Sequence, residues 1–362
     1  MKPAPLQIPS QRQSLFLIDL FKVVAALLII LHQLSSYGQI AQDARTVLPG
    51  LMTWLFEYGR YAVQIFLVMA GYLAAQSLSR FSNQKFSAQG LLKIILNRYL
   101  RLFGPYAAAL ILTILCAYIA RHWVNDEFVG ESETLGQFLA HLFFIQGILG
   151  LDSISAGAWY IAIDWQLYCI LAILLMSFPG YQAVIWVISI LAVSSLLFFN
   201  RSATYEAYFI YFIGSYGLGV LAYLAKRFEN SSVNRLAKTA LVVVGCIIAI
   251  SSLQQVWLRN FLAWFVATAL LLWGDKPYPI MQRGDSFFLK AVKWGSLRSY
   301  SAFLIHFAFI LLANTLYIAT AMHTHESGPL ALSLMLGVVI CSTVAANYLY
   351  RWVEVPSAKL KV

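Results

Sequence analysis

Charged side chains are scarce in this sequence. Asp, Glu, Lys and Arg make up only 11% of the 362 residues, whereas hydrophobic residues make up 60%. Soluble globular domains carry about 25% charged residues, so this chain cannot cover a globular surface with polar groups. The composition excludes a disordered chain, a disulfide scaffold and a water-soluble enzyme with one membrane anchor. We therefore predict an all-α fold, a polytopic integral membrane helix bundle.

Cysteine is also rare, and its placement carries little chemistry. Cys116, Cys169, Cys246 and Cys341 each lie in an apolar run, without a CxxC spacing or a nearby histidine. Cysteines in such surroundings behave as small buried hydrophobes. We therefore expect no metal site, and the cysteines do not indicate a redox compartment.

Acidic residues are outnumbered, 15 against 25 basic ones, which gives a formal net charge of +10. In a soluble protein this balance would suggest nucleic acid as a partner. In a membrane protein it indicates cytoplasmic loops that follow the positive-inside rule. We therefore expect membrane lipids around the chain and no nucleic acid.

Long apolar runs fill most of the sequence. A crossing helix needs about 20 residues to cover roughly 30 Å of hydrocarbon. Ten runs are predicted to span the membrane: 15–35, 59–79, 99–120, 157–178, 181–199, 206–225, 237–254, 257–274, 299–321 and 330–351. An eleventh run, 136–150, is shorter and carries His141 and Gln146.

Basic residues predict the orientation. They cluster at 80–101, 226–238, 276–298 and the C-terminus, whereas 121–135 is acidic. If 136–150 does not cross, every basic cluster falls on one side together with both termini, as the positive-inside rule requires. We therefore predict about ten transmembrane helices with both termini cytoplasmic. The run 136–150 would be re-entrant or would lie along the outer surface.

The chain shows no repeat and no linker that would divide it. Residues 1–13, which are rich in Pro and Gln, are predicted to be a flexible cytoplasmic tail. Residues 14–356 form a single predicted transmembrane domain, and 357–362 a second short cytoplasmic tail.

The first span carries three ionisable residues. An ionisable side chain inside a span is costly and indicates a functional site by default. Asp19 and Lys22 are three residues apart and share a helix face. His32 lies ten residues beyond Lys22, about 15 Å further toward the predicted outer side and close to the same face. A lone buried histidine is often structural, so both interpretations of His32 stay open at this point.

Two arginines mark the cytoplasmic start of the third span. Arg98 and Arg101 lie three residues apart in NRYLRLFGPY. Paired guanidinium groups suit bidentate phosphate binding. The alternative is ordinary snorkelling of basic side chains toward the membrane surface.

The fourth span begins GAWYIAIDWQLY. Trp159 suits an interfacial aromatic belt, but Asp164 and Gln166 have no such explanation. Because this span starts at the predicted outer side, Asp164 is expected two turns deep, near the level of His32. Tyr168 follows one turn further on the Asp164 face.

Two more ionisable residues lie in the last two spans. His306 is placed roughly two turns into the ninth span from the cytoplasmic side. Glu354 ends the tenth span in YRWVEVP, at the predicted depth of Arg98 and Arg101. A structural ion pair with an arginine and a role in a site both fit Glu354.

Six segments together resemble the membrane acyltransferase family 3, acyl-CoA-dependent enzymes of the bacterial inner membrane that O-acylate glycans. They occur in the family's order over nearly the whole chain: IDLFKVVAALLIILH, which ends at His32, YGRYAVQIFLVMAGYLAA (58–75), NRYLRLFGPY (97–106), GAWYIAIDWQLY (157–168), SYSAFLIH (299–306) and YRWVEVP (350–356). The resemblance implies that 14–356 is an acyltransferase domain, with acyl-CoA as co-substrate and a glycan or lipid-linked oligosaccharide as acceptor.

The resemblance also implies roles for single residues. His32 matches the family's catalytic histidine, and Arg98 with Arg101 matches an Arg-x-x-Arg pair implicated in CoA binding. Asp164 stands where the family usually has Glu, and Lys22 stands near a position that is more often Arg.

From these matches we predict an O-acyltransferase, with acetyl as the favoured group and a sugar hydroxyl of an exported or lipid-linked polysaccharide as acceptor. His32 would act as general base or would itself be acylated transiently. The remaining residues have three predicted roles. Asp164 or Tyr168 would orient the His32 ring. Acyl-CoA would be bound by Arg98, Arg101, Lys22, Trp159 and His306, and an orienting or structural role is predicted for Asp19, Gln166 and Glu354.

Two other functions fit ionisable residues inside spans. A transporter or a lipid or glycan flippase would use them along a translocation path, but the sequence shows none of the internal symmetry expected there. A haem protein would use His32 and His306 as axial ligands, but they are predicted on different helices at different depths. The oligomeric state stays open.

Overall fold

The computed structural model describes residues 15–81, 87–178, 180–228, 231–276, 287–320 and 328–362. The predicted tail 1–13 lies outside these ranges. The longer described helices are α1 (Phe16–Ser36), α2 (Gly38–Val47), α3 (Pro49–Tyr58), α4 (Ala62–Leu78), α5 (Ala88–Trp123), α6 (Leu135–Leu142), α7 (Ala158–Ser177), α8 (Tyr181–Leu197), α9 (Phe209–Arg227), α10 (Ser232–Ser251), α11 (Leu258–Trp273), α12 (Phe287–Ala319) and α13 (Gly328–Leu349).

The described part of the chain is a bundle of apolar helices. Nine helical segments in it are long and apolar enough to cross a membrane. A tenth apolar helix, α11, has 16 residues, which is about 24 Å at 1.5 Å per residue. The described spans thus correspond to the ten predicted runs, and the protein is an all-helical, multi-pass membrane protein.

The second span differs from its prediction. Pro49–Leu78 forms one segment of 30 residues, with a 3₁₀ turn at Gly59–Tyr61 that separates α3 from α4. Pro49 begins α3, where its missing N–H costs no intrahelical hydrogen bond. The predicted span 59–79 therefore corresponds to α4, while α2 and α3 were not predicted.

The run 136–150 does not form a spanning helix. Its helical part, α6, has eight residues and begins at a capping box between Thr134 and Gln137. The buried His141 ring then contacts Gln137 O through Nδ1 and accepts a hydrogen bond from Ile154 N–H through Nε2. This histidine ties α6 to the non-helical stretch that leads into α7.

Helix α9 is the most enclosed of the described spanning helices, since 83% of the residues in its apolar stretch are buried. It packs closely on α4 because both helices carry glycine at the contact. A Cβ on Gly71 would collide with Tyr216 O, and a Cβ on Gly219 would collide with Val68 O. Helices α10 and α13, at 28% buried, present most of their surface outward.

Helix α5 is much longer than a bilayer core. Its 36 residues extend about 54 Å, against roughly 30 Å of hydrocarbon. Arg98 and Arg101 lie ten and thirteen residues after its first residue, Ala88. The helix therefore begins well before the predicted span 99–120, with Arg98 partly buried and Arg101 exposed.

Candidate functional site

A cavity with polar and apolar walls opens among helix ends that are all predicted to face outward. This main cavity has a volume of about 690 Å³ and is lined by residues near the end of α1 and the starts of α4, α7, α9 and α11. A side cavity of about 500 Å³ adjoins it. His32, Arg60 and Tyr61 line both cavities, so the predicted catalytic histidine lies where the two cavities meet.

The His32 ring is held by the turn that precedes α4. Its Nδ1 lies 3.0 Å from Leu55 O, and the backbone of Gly59 packs against its Cβ. Side chains of Ser35 and Ser36 both donate to the His32 carbonyl. Because a carbonyl oxygen only accepts, the proton of the neutral imidazole is on Nδ1, and Nε2 carries the free lone pair.

The predicted orienting contact to His32 is wrong. Asp164 accepts a hydrogen bond from Arg98, with 2.6 Å between Nη2 and Oδ2, and the Tyr168 ring lies 5.0 Å below the Arg98 guanidinium carbon. Leu55 O takes the orienting position on His32 instead. The physical reason is that the buried Asp164 carboxylate pairs with the cation that α5 brings into the bundle.

The predicted depths of Arg98 and Asp164 are also inconsistent with their contact. Arg98 was placed at the inner mouth and Asp164 near the outer level of His32, yet the two side chains form one ion pair. Asp164 is only 7% exposed and Arg98 24% exposed. Because the two side chains touch, the two predicted levels cannot both hold.

A second group of charges lies around Glu354, at the predicted cytoplasmic side. Glu354 accepts a hydrogen bond from Ser301 and lies within electrostatic range of Arg101 and Lys22. Glu354 thus lies near Arg101, one of the two arginines at whose depth it was predicted. We call Lys22, Arg101 and Glu354 the inner cluster.

The backbone around Glu354 is unusual. Residues Tyr350–Glu354 form a π-helical turn at the end of α13, a feature that occurs often at functional sites. Asp19, one turn before Lys22, is buried and accepts a short hydrogen bond from Ser296 on α12. Asp19 therefore links α1 to α12, which agrees with the orienting role predicted for it.

The other predicted site residues are divided between cavity and core. Trp159 stacks on Phe212 and lines the main cavity. Gln166 also lines it and holds the start of α9, accepting from Phe209 N–H and donating to Ala207 O. His306 is fully buried, bonds to Phe303 O and lines neither cavity. Trp159 thus lies with His32 on the predicted outer side, not beside a nucleotide site at the inner side.

Several residues that line the main cavity were not predicted: Arg60, Gln64, Gln146, Asn200, Arg201, Glu206, Tyr211, Trp257 and Arg259. One sequence signal was available. Arg60, Arg201 and Arg259 lie at predicted outer helix ends, where the positive-inside rule disfavours cations. Basic residues on the unfavoured side indicate a site, because topology does not explain them.

The fold and this arrangement of polar groups define a multi-pass membrane protein with an enzyme-like cavity. A family model described as an acyltransferase domain matches residues 16–350, and the chain belongs to that family, acyltransferase family 3. The protein is therefore a membrane acyltransferase. Comparison with curated proteins and comparison with solved structures each gave no match.

Proposed function

We propose that this acyltransferase transfers an acyl group, with acetyl as the favoured group, from cytoplasmic acyl-CoA to a sugar hydroxyl of an exported or lipid-linked polysaccharide in the bacterial cytoplasmic membrane. One observation carries the proposal. The His32 ring lines the main cavity while Leu55 O holds its Nδ1. No described residue pairs with Nε2, so this nitrogen is available to accept a proton.

The ring is prepared for general-base catalysis by its fixed tautomer. A catalytic imidazole needs one nitrogen to bind an orienting acceptor and the other to take the proton. Here the orienting acceptor is a backbone carbonyl, so it brings no negative charge to the site. General-base action of this kind contributes typically 10²–10⁴-fold to a rate.

The proposed reaction replaces a thioester by an oxygen ester. His32 Nε2 accepts the proton of the sugar hydroxyl as that oxygen attacks the thioester carbonyl carbon. The new C–O bond forms, the C–S bond breaks, and the thiolate of CoA leaves. The imidazolium returns its proton to this thiolate, directly or through water, so CoA is released as the thiol and His32 is neutral again.

The charges of the inner cluster support the placement of the donor. Arg101 is exposed, whereas Arg98 is partly buried against Asp164 and Tyr168. We therefore assign CoA phosphate binding to Arg101 with Lys22, and assign Arg98 to holding Asp164 beside Tyr168. The thioester arm would reach from the inner cluster past this pair toward His32.

The test compares two histidine variants in the full-length protein. We expect His32→Ala to lose acyl transfer while still inserting and binding acyl-CoA. His122→Ala changes an exposed histidine at the end of α5 and should keep full activity. The measurements are the ester mass on surface glycans by mass spectrometry, acyl-CoA binding and a thermal scan. A stable His32→Ala protein with normal transfer would end the assignment.

A further inference from the structure

Three arginines and a single carboxylate line the described wall of the main cavity. Arg60, Arg201 and Arg259 all contribute to its wall. The one acidic residue among the described lining residues is Glu206, which accepts a hydrogen bond from Tyr211. Within the described ranges, none of the three arginines forms an ion pair. The cavity wall therefore has an excess of positive charge.

Arg259 is the most firmly held of the three. Its guanidinium donates to Tyr211 Oη at 2.9 Å and to the backbone carbonyl of Asn200. It also stacks on Trp257, with 4.7 Å between the guanidinium carbon and the ring centroid. A cation fixed by neutral partners keeps its full charge, and it needs little reorganisation to bind an anion.

Buried polar atoms without partners concentrate in the same wall. Among the described residues, Gln146 Oε1, Asn200 Oδ1, Trp257 Nε1 and Arg259 Nε are buried and make no hydrogen bond. All four residues line the main cavity, and Gln146 and Asn200 are only 1% and 6% exposed. Buried polar atoms normally have partners. Two of these atoms need a donor and two need an acceptor, a mixture that sugar hydroxyls supply.

Aromatic faces complete the wall. Trp159 and Phe212 stack on one another, with ring centroids 5.4 Å apart, and both line the cavity together with Tyr211 and Trp257. Flat apolar faces beside polar groups suit the mixed surface of a sugar ring, which has C–H faces and hydroxyl edges.

From these observations we infer that the acceptor is anionic: the main cavity binds a sugar residue whose carboxylate or phosphate is held by Arg60, Arg201 and Arg259. This inference rests on the proposed function and specifies its acceptor. Arg60 lies within electrostatic range of His32. The charged substituent would therefore bind close to the hydroxyl that receives the acyl group.

The test measures sugar binding to the full-length protein without an acyl donor. The probes are methyl glucuronide, glucose 6-phosphate and the neutral methyl glucoside, each detected by ligand-observed NMR. We expect one of the charged sugars to bind about tenfold more tightly than the neutral one, since charge-assisted hydrogen bonds to Arg are the stronger class. The preferred probe identifies the carboxylate or the phosphate as the recognised group.

Two arginine variants test whether the preference for a charged sugar comes from the main cavity. Arg259→Gln and Arg60→Gln should each reduce it severalfold, and Arg60 is exposed, so its replacement leaves the core packing intact. The matched control is Arg45→Gln, an exposed arginine of α2 that does not line either cavity and should leave the preference unchanged.

Three results would overturn the inference: equal binding of charged and neutral sugars, a preference that survives in both cavity variants, or displacement of the charged sugar by adenosine 3′,5′-bisphosphate, the nucleotide end of CoA. The last result would assign the arginines to the donor. His32-dependent transfer is measured separately. If His32→Ala keeps normal transfer, the proposed function is refuted even where the charge preference holds. If transfer depends on His32 but charged sugars are not preferred, only this inference is refuted.

Discussion

Arg98 on α5 and Asp164 on α7 form an ion pair, with 2.6 Å between Nη2 and Oδ2. The pair joins two spans that are 66 positions apart in the sequence. Tyr168, one turn after Asp164, stacks under the same guanidinium. The three side chains thus form one unit, which lets a charge from each helix lie inside the bundle.

Removing one partner of this pair should destabilise the protein more than removing both. Breaking a buried pair typically costs about 3–5 kcal/mol, because one charge stays behind without compensation. Since Arg98 is 24% exposed, we expect a loss of about 1–3 kcal/mol for Asp164→Ala. The double variant Arg98→Met with Asp164→Leu should be more stable than either single variant.

Thermal unfolding in one detergent measures all of these variants. The control is Asp275→Ala, whose carboxylate is 59% exposed in its pair with Lys226 and should cost less than about 1 kcal/mol. Additive losses in the double variant would show that Arg98 and Asp164 contribute independently.

Arg101 should behave differently from Arg98 when it is replaced. Arg101→Ala removes an exposed cation of the inner cluster, and we expect its CoA affinity to fall about tenfold while its unfolding temperature stays unchanged. Lys93→Ala, an exposed lysine earlier on α5, is the control and should keep its affinity. Calorimetric titration with CoA distinguishes the two, and equal affinity in both variants would assign Arg101 to membrane positioning alone.

Gly59 should be sensitive to a single added methyl group. Its φ of −56° suits any residue, so Gly59→Ala acts only through space. The new Cβ would lie 2.8 Å from His32 Cβ, too close for an ordinary contact, so the ring must shift. A displacement near 1 Å can cost about a hundredfold in rate. We expect kcat to fall about tenfold to a hundredfold with little change in KM for acyl-CoA.

The control for Gly59 is Gly50→Ala, where an added Cβ meets nothing within 4 Å. Gly50 is the second residue of α3, the helix that leads to Gly59, and Gly50→Ala should keep the full rate. Steady-state kinetics of both variants decide the question, and a Gly59→Ala enzyme with an unchanged kcat would show that the turn does not hold the ring.

His141 should make the stretch between α6 and α7 sensitive to acid. Burial lowers the pKa of His141 below its ordinary value of about 6.5, and its Nε2 must stay unprotonated to accept from Ile154 N–H. The neutral form therefore stabilises the fold above pH 6.5. This contribution is lost as the pH falls from there through the lowered pKa.

Hydrogen exchange at Ile154 measures this effect directly. After correction for the intrinsic rate, protection of this amide should be higher at pH 7.5 than at pH 5. His141→Gln should have a weaker pH dependence, since its amide does not titrate. Equal protection at both pH values in the unmodified protein would contradict the predicted effect of His141 titration on this amide.

Much of the architecture could be predicted from periodicity and charge. Apolar runs at least as long as a bilayer is thick have few alternatives to spanning helices, and the described spans match them. The turn at Gly59–Tyr61 was not predicted, because its form and its contact with His32 follow from how α3 packs against α1. Likewise, the full length of α5 could not be predicted. Polar residues precede Arg98, and such residues are also typical of a helix that ends outside the membrane.

The sequence by itself determined the membrane class, the approximate spans, the acyltransferase family and His32 as the histidine to examine, because local composition and ordered motifs suffice for these. Only the tertiary structure decided which groups meet. It paired Asp164 with Arg98 rather than His32, gave the His32 ring a backbone carbonyl as its acceptor, and gathered Arg60, Arg201 and Arg259 in one cavity. The physical reason is that these contacts join different helices, and their partners follow from how the helices pack.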